Sequence, residues 1–171
     1  QREFPRRKTL RDAVNHSYEH RMQLQTVFSL LRDAETGQRG FVITGQQRFL
    51  EPYDAALRRL PSQLASLRAL RQQDGDAVTG DDPVFDRLVA LTERKQATMA
   101  EGIRLRRENG EDAARALVSS GEGKVIMDQI RIVTRELQAA DKAALDRRVA
   151  ANDAMTQRTE RLTQALFVVL I

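Results

Sequence analysis

The sequence predicts an all-α fold, an antiparallel up-down-up-down four-helix bundle with long first and last helices. Apolar residues recur at helical spacing along the chain, whereas period-two runs rich in valine, isoleucine and threonine are missing. Only four prolines interrupt the 171 residues, and 30% of the residues are charged, a composition typical of long amphipathic helices. The predicted connections are short, which favours antiparallel neighbours.

The first helix is predicted over residues 9–44, after an entry segment formed by residues 1–8. No proline interrupts it, so it would extend for roughly 55 Å. One of its faces repeats in alternating steps of four and three, the spacing of a seam that faces a partner helix. The seam consists of Leu24, Phe28, Leu31, Glu35, Gln38, Val42, Gly45 and Phe49. Because two of these residues are polar and one is glycine, residues 30–45 depart from the helical pattern and invite a functional explanation.

The second helix is expected to follow a turn at Gly45, which ends the first helix. Pro52 lies where this second helix would make its first turn, and evenly spaced leucines continue the helical pattern to Leu70. A polar, turn-rich loop is predicted over residues 72–83.

The third helix is expected to be capped by Asp81 or Asp82, with Pro83 at its first position, and to end at residues 109–110. Its bundle face is predicted to consist of Phe85, Leu88, Leu91, Thr92, Lys95, Met99, Gly102 and Leu105.

The last helix is predicted from residue 124 to the end, after a short helical piece over residues 111–118. Its core stripe is expected to contain Ile126, Ile130, Val133, Leu137, Ala140 and Ala144. In the predicted topology both chain ends lie at the same end of the bundle. The long first and last helices would then project past the shorter pair as a membrane-proximal stalk.

The charge pattern argues against nucleic acid as a partner. The net charge is +4, but 28 basic residues are spread among 24 acidic ones. Nucleic-acid-binding modules concentrate their positive charge and contain an element that reads the bases. The chain also has no cysteine, which excludes disulfides, thiol catalysis and zinc–thiolate sites.

Catalytic and metal sites are not expected. His16 and His20 share a helical face, and histidines at this spacing bind a metal when a third ligand is near. The position of Glu19 between them does not match the zincin pattern, so both are interpreted as surface or seam residues. No nucleophile–histidine–acid set and no phosphate-binding glycine loop is recognisable. The chain is therefore predicted not to be an enzyme, and to hold neither a metal nor a cofactor.

Residues 165–171 form a run of seven apolar residues. The run is shorter than the ~18 residues that identify a membrane span, and one interpretation is an apolar helix end covered by a dimer partner. Bundle helices show polar residues at every second or third position, however, and this run shows none. Residues 163–171 are therefore expected to begin a truncated transmembrane helix, and residues 1–162 to form the folded domain.

Two motifs resemble the third class of CHASE domains, the cyclase- and histidine-kinase-associated extracellular sensors. The first consists of residues 31–41 (LRDAETGQRGF), then Thr44 and Gly45, then residues 49–53 (FLEPY). The second is residues 121–131 (GEGKVIMDQIR). Together with the helical pattern around them, the resemblance covers roughly residues 10–150.

The resemblance implies a periplasmic, extracytoplasmic sensor domain over residues 1–162, held in the bacterial inner membrane by flanking transmembrane helices. In such receptors the domain precedes a cytoplasmic histidine kinase, diguanylate cyclase or chemotaxis module, and a histidine kinase is the expected output here. The stimulus is an unknown small molecule or protein. We expect a homodimer in which displacement of the first or last helix transmits the signal. The alternative is a soluble helical-bundle scaffold or dimerisation protein.

The candidate site is formed by the residues of the two motifs. They are Asp33, Glu35, Thr36, Gly37, Gln38, Arg39, Gly40, Phe41, Thr44, Gly45, Pro52, Gly123, Lys124, Asp128 and Arg131. The glycines at 37 and 40 are expected to let a neighbouring helix approach closely. The polar residues would either fix the helix register, as buried polar groups do in coiled coils, or contact a ligand directly. Hypothetical ion pairs join Glu35 to Arg131 and Arg39 to Asp128.

Overall fold

The computed structural model describes residues 4–72 and 82–169, and helices joined by short turns make up these two ranges. No strand occurs within these two ranges. The helices are α1 (Phe4–Thr44), a short 3₁₀ helix (Gln47–Leu50), α2 (Glu51–Gln72), α3 (Pro83–Glu108), α4 (Glu111–Ser119) and α5 (Glu122–Val169). The predicted all-α four-helix bundle is confirmed, with α1, α2, α3 and α5 as its four helices and α4 as a nine-residue addition.

The chain divides into two compact units. The larger unit is His20–Leu137, and the smaller one combines Gln1–Glu19 with Gln138–Ile171. Helices α1 and α5 therefore contribute residues to both units. The stalk, and the boundary between a folded domain at residues 1–162 and a membrane segment at residues 163–171, stay predictions.

Each of the four helices contributes at least one fully buried aliphatic residue to the core of the larger unit. Leu31 of α1, Leu60 of α2, Leu88 of α3 and Ile130 of α5 have no measurable exposure to solvent. Burying one such side chain stabilises the fold by about 1.5–3 kcal/mol. The predicted stripe on the last helix is buried from Ile126 to Leu137, as its spacing indicates. Its last two members were wrongly placed in the core, because Ala140 is exposed and Ala144 is only half-buried.

The helix ends follow local chemistry. Asp82 caps α3 by accepting a hydrogen bond from the Phe85 backbone N–H at 3.0 Å, and Pro83 stands in the first turn. Gly45 follows the end of α1 with a φ of +69°, in the left-handed region that favours glycine. Arg106 of α3 donates a 2.9 Å hydrogen bond to the carbonyl of Val42, one of the last carbonyls of α1.

Two predicted boundaries need correction, and a third prediction is not tested. The helix α1 already begins at Phe4, because proline at position 5 is compatible with a first helical turn. The helix α5 begins at Glu122, two residues earlier than expected, after Gly121 with a φ of +79°. The polar loop predicted over residues 72–83 lies outside the described residues except at its two ends.

Within the described part of the chain, no helix combines the length and the apolar character that crossing a membrane requires. The backbone of residues 165–169 continues α5, and residues 170–171 lie outside the described residues.

Candidate functional site

One buried lysine joins three helices of the larger unit. Lys95 stands on the apolar face of α3, and its side chain is 2% exposed. Its Nζ lies 3.0 Å from Oε1 of Glu35 on α1 and donates a 3.0 Å hydrogen bond to the backbone carbonyl of Gly123 on α5. The helical spacing of its neighbours Leu88, Thr92 and Met99, all buried, forces Lys95 into the interior.

Glu35 balances the charge of this lysine. Its side chain is 16% exposed, and its Oε1 also lies 3.1 Å from a terminal nitrogen of Arg39, one turn further along α1. Burial lowers the pKa of Lys95 below its ordinary value, while the hydrogen bond and the charge of Glu35 act in the opposite direction. A buried ammonium without such a partner would lower the free energy of unfolding by several kcal/mol.

Glycine at position 123 makes room for the ammonium. A Cβ at this position would lie 3.0 Å from Lys95 Nζ, so a side chain there would push the lysine away from the α5 backbone. Gly102 on α3 makes room for Gln38 in the same way, because a Cβ at position 102 would lie 2.4 Å from Nε2 of Gln38. The two glycines therefore leave space for polar side chains that reach across from neighbouring helices.

Gln38 is a buried polar residue one turn after Glu35. It is 4% exposed, and its amide group has no hydrogen-bond partner among the residues that the structure describes. Buried amides are normally hydrogen-bonded, because desolvation without compensation costs about 1–3 kcal/mol. The Gln38 amide lines a cavity, where a water molecule or another guest can supply that partner.

A cavity of about 30 Å³ lies between these groups. Its lining residues are Glu35, Gln38, Arg39, Lys95, Thr98, Met99, Leu117, Val118, Gly123 and Lys124. Such a volume holds about two water molecules or one small polar group, well below the ~300 Å³ of a typical small-molecule pocket. The site can therefore enclose a functional group but not a complete drug-sized ligand in this conformation.

Five of the residues singled out from the sequence line this cavity. They are Glu35, Gln38, Arg39, Gly123 and Lys124, drawn from both motifs. The two hypothetical ion pairs are wrong. Glu35 pairs with Lys95 and Arg39, while Asp128 pairs with Lys124 and Arg131 on its own helix. Asp128 and Arg131 pair with each other at a spacing of three on α5. The Arg131 guanidinium also lies 5.4 Å from the centre of the Phe28 ring on α1.

The glycines of the first motif lie where the chain returns after α1. A Cβ at Gly37 would lie 2.7 Å from the backbone oxygen of Phe49 and 3.0 Å from the backbone nitrogen of Tyr53. A Cβ at Gly40 would lie 2.7 Å from the Phe49 ring. The 3₁₀ helix and the start of α2 therefore approach α1 closely at these glycines, as expected.

The remaining motif residues stand at the end of α1 or on its surface. Phe41 is buried, and Thr44 accepts a 3.2 Å hydrogen bond from the backbone N–H of Gln46 in the turn. Exposed positions are occupied by Asp33, Thr36, Gly45 and Pro52, away from the cavity.

Sequence reasoning placed Lys95 on the bundle face of α3 but not among the site residues. The available signal was a lysine at a core position of an otherwise apolar stripe. It also missed Arg106, which binds the Val42 carbonyl and fills the space beside Gly45.

The histidines do not form a metal site with other residues of the described ranges, in which no group of three possible ligands occurs. His20 is 2% exposed, and its Nε2 lies 3.2 Å from a terminal nitrogen of Arg71 on α2. The interpretation of His20 as a seam residue agrees with this burial.

The comparisons with known proteins concern both family and fold. The family model of the CHASE3 domain matches residues 10–165. The sensor domain of the histidine kinase HK9 from Rhodopseudomonas palustris has a similar structure, with a TM-score of 0.64 and 21% sequence identity. The similarity covers 76% of this chain and 98% of that one. No curated protein matches the chain.

The family match extends over most of the chain and includes both motifs and the cavity between them. It assigns the chain a sensory role rather than a catalytic one. The chain belongs to the CHASE3 family, and it is an extracellular sensory domain of the kind found in membrane receptors.

Proposed function

We propose that this chain is the periplasmic signal-input domain of an inner-membrane receptor, and that the receptor has a histidine kinase as its output. The similarity of its fold to a histidine kinase sensor domain supports this choice of output. We further propose that the signal is a displacement of α1 relative to α5.

The contact of Lys95 with both α1 and α5 is the observation that supports this mechanism. Its ammonium touches Glu35 on α1 and the Gly123 carbonyl on α5, each at 3.0 Å. A shift of either helix by 1–2 Å would break one of these contacts, and packed bundles change between discrete arrangements rather than deform smoothly. Helices α1 and α5, which make these contacts, also supply the residues of the smaller unit.

Residues 163–171 are proposed to be the first part of a membrane anchor. Residues 165–171 are all apolar, and Arg158 and Arg161 precede them at the distance of lipid headgroups from a membrane helix. A second anchor would precede α1, as in receptors whose sensor lies between two transmembrane helices.

Exposed apolar side chains support the proposed homodimer. Val14, Tyr18 and Met22 are spaced by four on α1 and are 44–63% exposed. Val125 and Ile132 are spaced by seven on α5 and are 56% and 47% exposed. Such regular spacing is typical of a helix face that packs on a partner helix.

The dimer is tested by sedimentation velocity on the purified domain. Replacing Val125 and Ile132 with aspartate should shift the domain from dimer to monomer, because two charges would be buried in the interface. The matched control is Ala97→Asp with Ala100→Asp, which adds two charges at exposed positions of α3. A wild-type domain that sediments as a monomer at all concentrations up to about 1 mM would contradict the homodimer of the domain.

The mechanism is tested in the receptor that contains this chain, reconstituted in lipid nanodiscs. The chain has no cysteine, so spin labels attach only at the introduced cysteines Asp33→Cys on α1 and Gln129→Cys on α5. Lys95→Met should change the distance between these labels and alter autophosphorylation severalfold. A label pair within α1, at Arg21 and Arg32, should not change. Unaltered label distances together with unaltered kinase activity would rule out the displacement mechanism and favour a scaffold.

A further inference from the structure

We propose that the cavity beside Lys95 binds a small oxyanion, of the size of a carboxylate group, between the Gln38 amide, the Lys95 ammonium and the first turn of α5. This inference rests on the proposed sensory function and adds the chemical class of ligand that the domain recognises.

The first argument is an unused buried donor group. Gln38 lines the cavity, is 4% exposed and has no hydrogen-bond partner among the described residues. Lys95 has three N–H bonds, and the described contacts occupy two of them, to Glu35 and to the Gly123 carbonyl. A guest in the cavity could therefore accept hydrogen bonds from both side chains in place of water.

The second argument is charge. Three cationic residues line the cavity, Arg39, Lys95 and Lys124, against one carboxylate, Glu35. Asp128 pairs from outside the cavity with Lys124 and also with Arg131, so four cations stand against two carboxylates and positive charge is in excess. This excess favours an anion over a neutral or cationic guest.

The third argument is the start of α5. Gly123 and Lys124 line the cavity within the first turn of this helix, where backbone N–H groups have no partner inside the helix. The helix dipole adds partial positive charge at this end, so an anion is stabilised there. The start of α5 therefore adds backbone donors and partial positive charge to the cavity that Gln38 and Lys95 also line.

The fourth argument is size. The cavity of about 30 Å³ accepts one carboxylate or a few water molecules. Leu117 and Val118 of α4 form one of its walls, and α4 is connected through Gly110 and Gly121, whose φ angles are +86° and +79°.

The binding test uses the ¹⁵N-labelled domain and heteronuclear correlation spectra. Sodium formate is titrated at constant ionic strength with sodium chloride as the balance, and inorganic phosphate is titrated separately. We expect saturable shifts of the Gln38 side-chain amide and of the Gly123 and Lys124 backbone amides. Saturation by formate alone identifies a carboxylate, whereas saturation by phosphate identifies a phosphoryl group, and both support an oxyanion site.

Two variants make the test specific. Gln38→Leu should weaken binding at least tenfold, while Gln129→Leu, an exposed glutamine on α5, should leave it unchanged. Circular dichroism melting shows whether each variant folds. Small non-saturating shifts spread over the surface, or equal affinity of the folded Gln38→Leu domain, would overturn the site and leave water as its occupant.

Two further outcomes distinguish a failure of the oxyanion site from a failure of the proposed function. If formate or phosphate binds but leaves kinase autophosphorylation in nanodiscs unchanged, the sensory use of the site is wrong and the oxyanion site stands. If neither binds while Lys95→Met still alters autophosphorylation, the oxyanion site is wrong and the proposed mechanism stands.

Discussion

The ammonium of Lys95 lies 3.0 Å from the Glu35 carboxylate, and the pair is buried between α1 and α3. Taking both charges out of water costs several kcal/mol, which their attraction offsets only in part. An apolar pair of similar volume would pack here at least as well. The polar pair therefore contributes more to the alignment of α1, α3 and the start of α5 than to net stability.

Replacing Lys95 with methionine should destabilise the domain by about 2–3 kcal/mol, because the Glu35 carboxylate would remain in the interior with only Arg39 beside it. Adding Glu35→Leu to this variant should restore at least half of the loss. Both values are measured by urea unfolding followed by circular dichroism. As a control, Lys142→Met removes an exposed lysine of the smaller unit and should change stability by less than about 0.5 kcal/mol. A double variant less stable than the single one would contradict the interpretation.

The stability of the domain should rise with pH through Lys95. Burial lowers the pKa of this residue in the folded state below the ordinary value of 10.5. Between the two pKa values the unfolded chain binds the proton more tightly, so the free energy of unfolding increases with pH, by at most about 1.4 kcal/mol per pH unit. The measured quantity is the unfolding free energy of the wild type minus that of Lys95→Met between pH 7.5 and 10. The titration of Tyr53, whose pKa burial raises, occurs in both proteins and cancels. A difference that falls with pH would mean that the Glu35 pair outweighs desolvation.

Asp82 has two roles that substitutions can separate. One carboxylate oxygen caps α3 at the Phe85 N–H, and the other is hydrogen-bonded to the guanidinium of Arg71 on α2. Asp82→Asn keeps the cap but loses the ion pair, and should cost about 0.5–1 kcal/mol. Asp82→Ala loses both and should cost about 1 kcal/mol more than that. Thermal unfolding of both variants, with Glu93→Ala in the middle of α3 as control, measures the two contributions. Equal stability of the asparagine and alanine variants would show that the cap contributes nothing.

Local chemistry made the helix ends predictable. An aspartate before a proline specifies a helix start, and a glycine in the left-handed region specifies an end, without information from the rest of the fold. Asp82 and Gly45 illustrate both cases. The buried seam of α1 was predictable for the same reason, because the spacing of Leu24, Leu31 and Gln38 depends only on helical geometry.

The partners of the polar seam residues were not predictable in this way. Helical spacing specifies which face of α1 carries Glu35, but not which residue of a neighbouring helix stands opposite. Lys95 belongs to α3 and Arg131 to α5, so the choice between them depends on which neighbouring helix faces Glu35 and at which turn. One turn of offset alone moves a partner by about 5.4 Å. Arg131 also has a closer acceptor in Asp128, three residues away on its own helix. The register between helices depends on the sum of all contacts, which no single motif contains.

Gly37 and Gly40 should respond differently to alanine. A Cβ at Gly37 would meet backbone atoms of Phe49 and Tyr53 at 2.7 and 3.0 Å, which move only if the whole 3₁₀ helix shifts. A Cβ at Gly40 would meet the Phe49 ring at 2.7 Å, and a half-buried side chain can turn away. Alanine in a helix is favoured over glycine by about 1 kcal/mol, and overpacking costs about 1–3 kcal/mol.

Gly37→Ala should therefore lose about 1–2 kcal/mol of unfolding free energy, whereas Gly40→Ala should stay within about 0.5 kcal/mol of the wild type. Urea unfolding measures both. Thr36→Ala, an exposed neighbour on α1, reports the effect of alanine without close packing, including the loss of the hydroxyl's 2.9 Å hydrogen bond to the Arg32 carbonyl. If Gly37→Ala were as stable as Thr36→Ala, the backbone of the 3₁₀ helix would not be held against α1 as closely as the structure indicates.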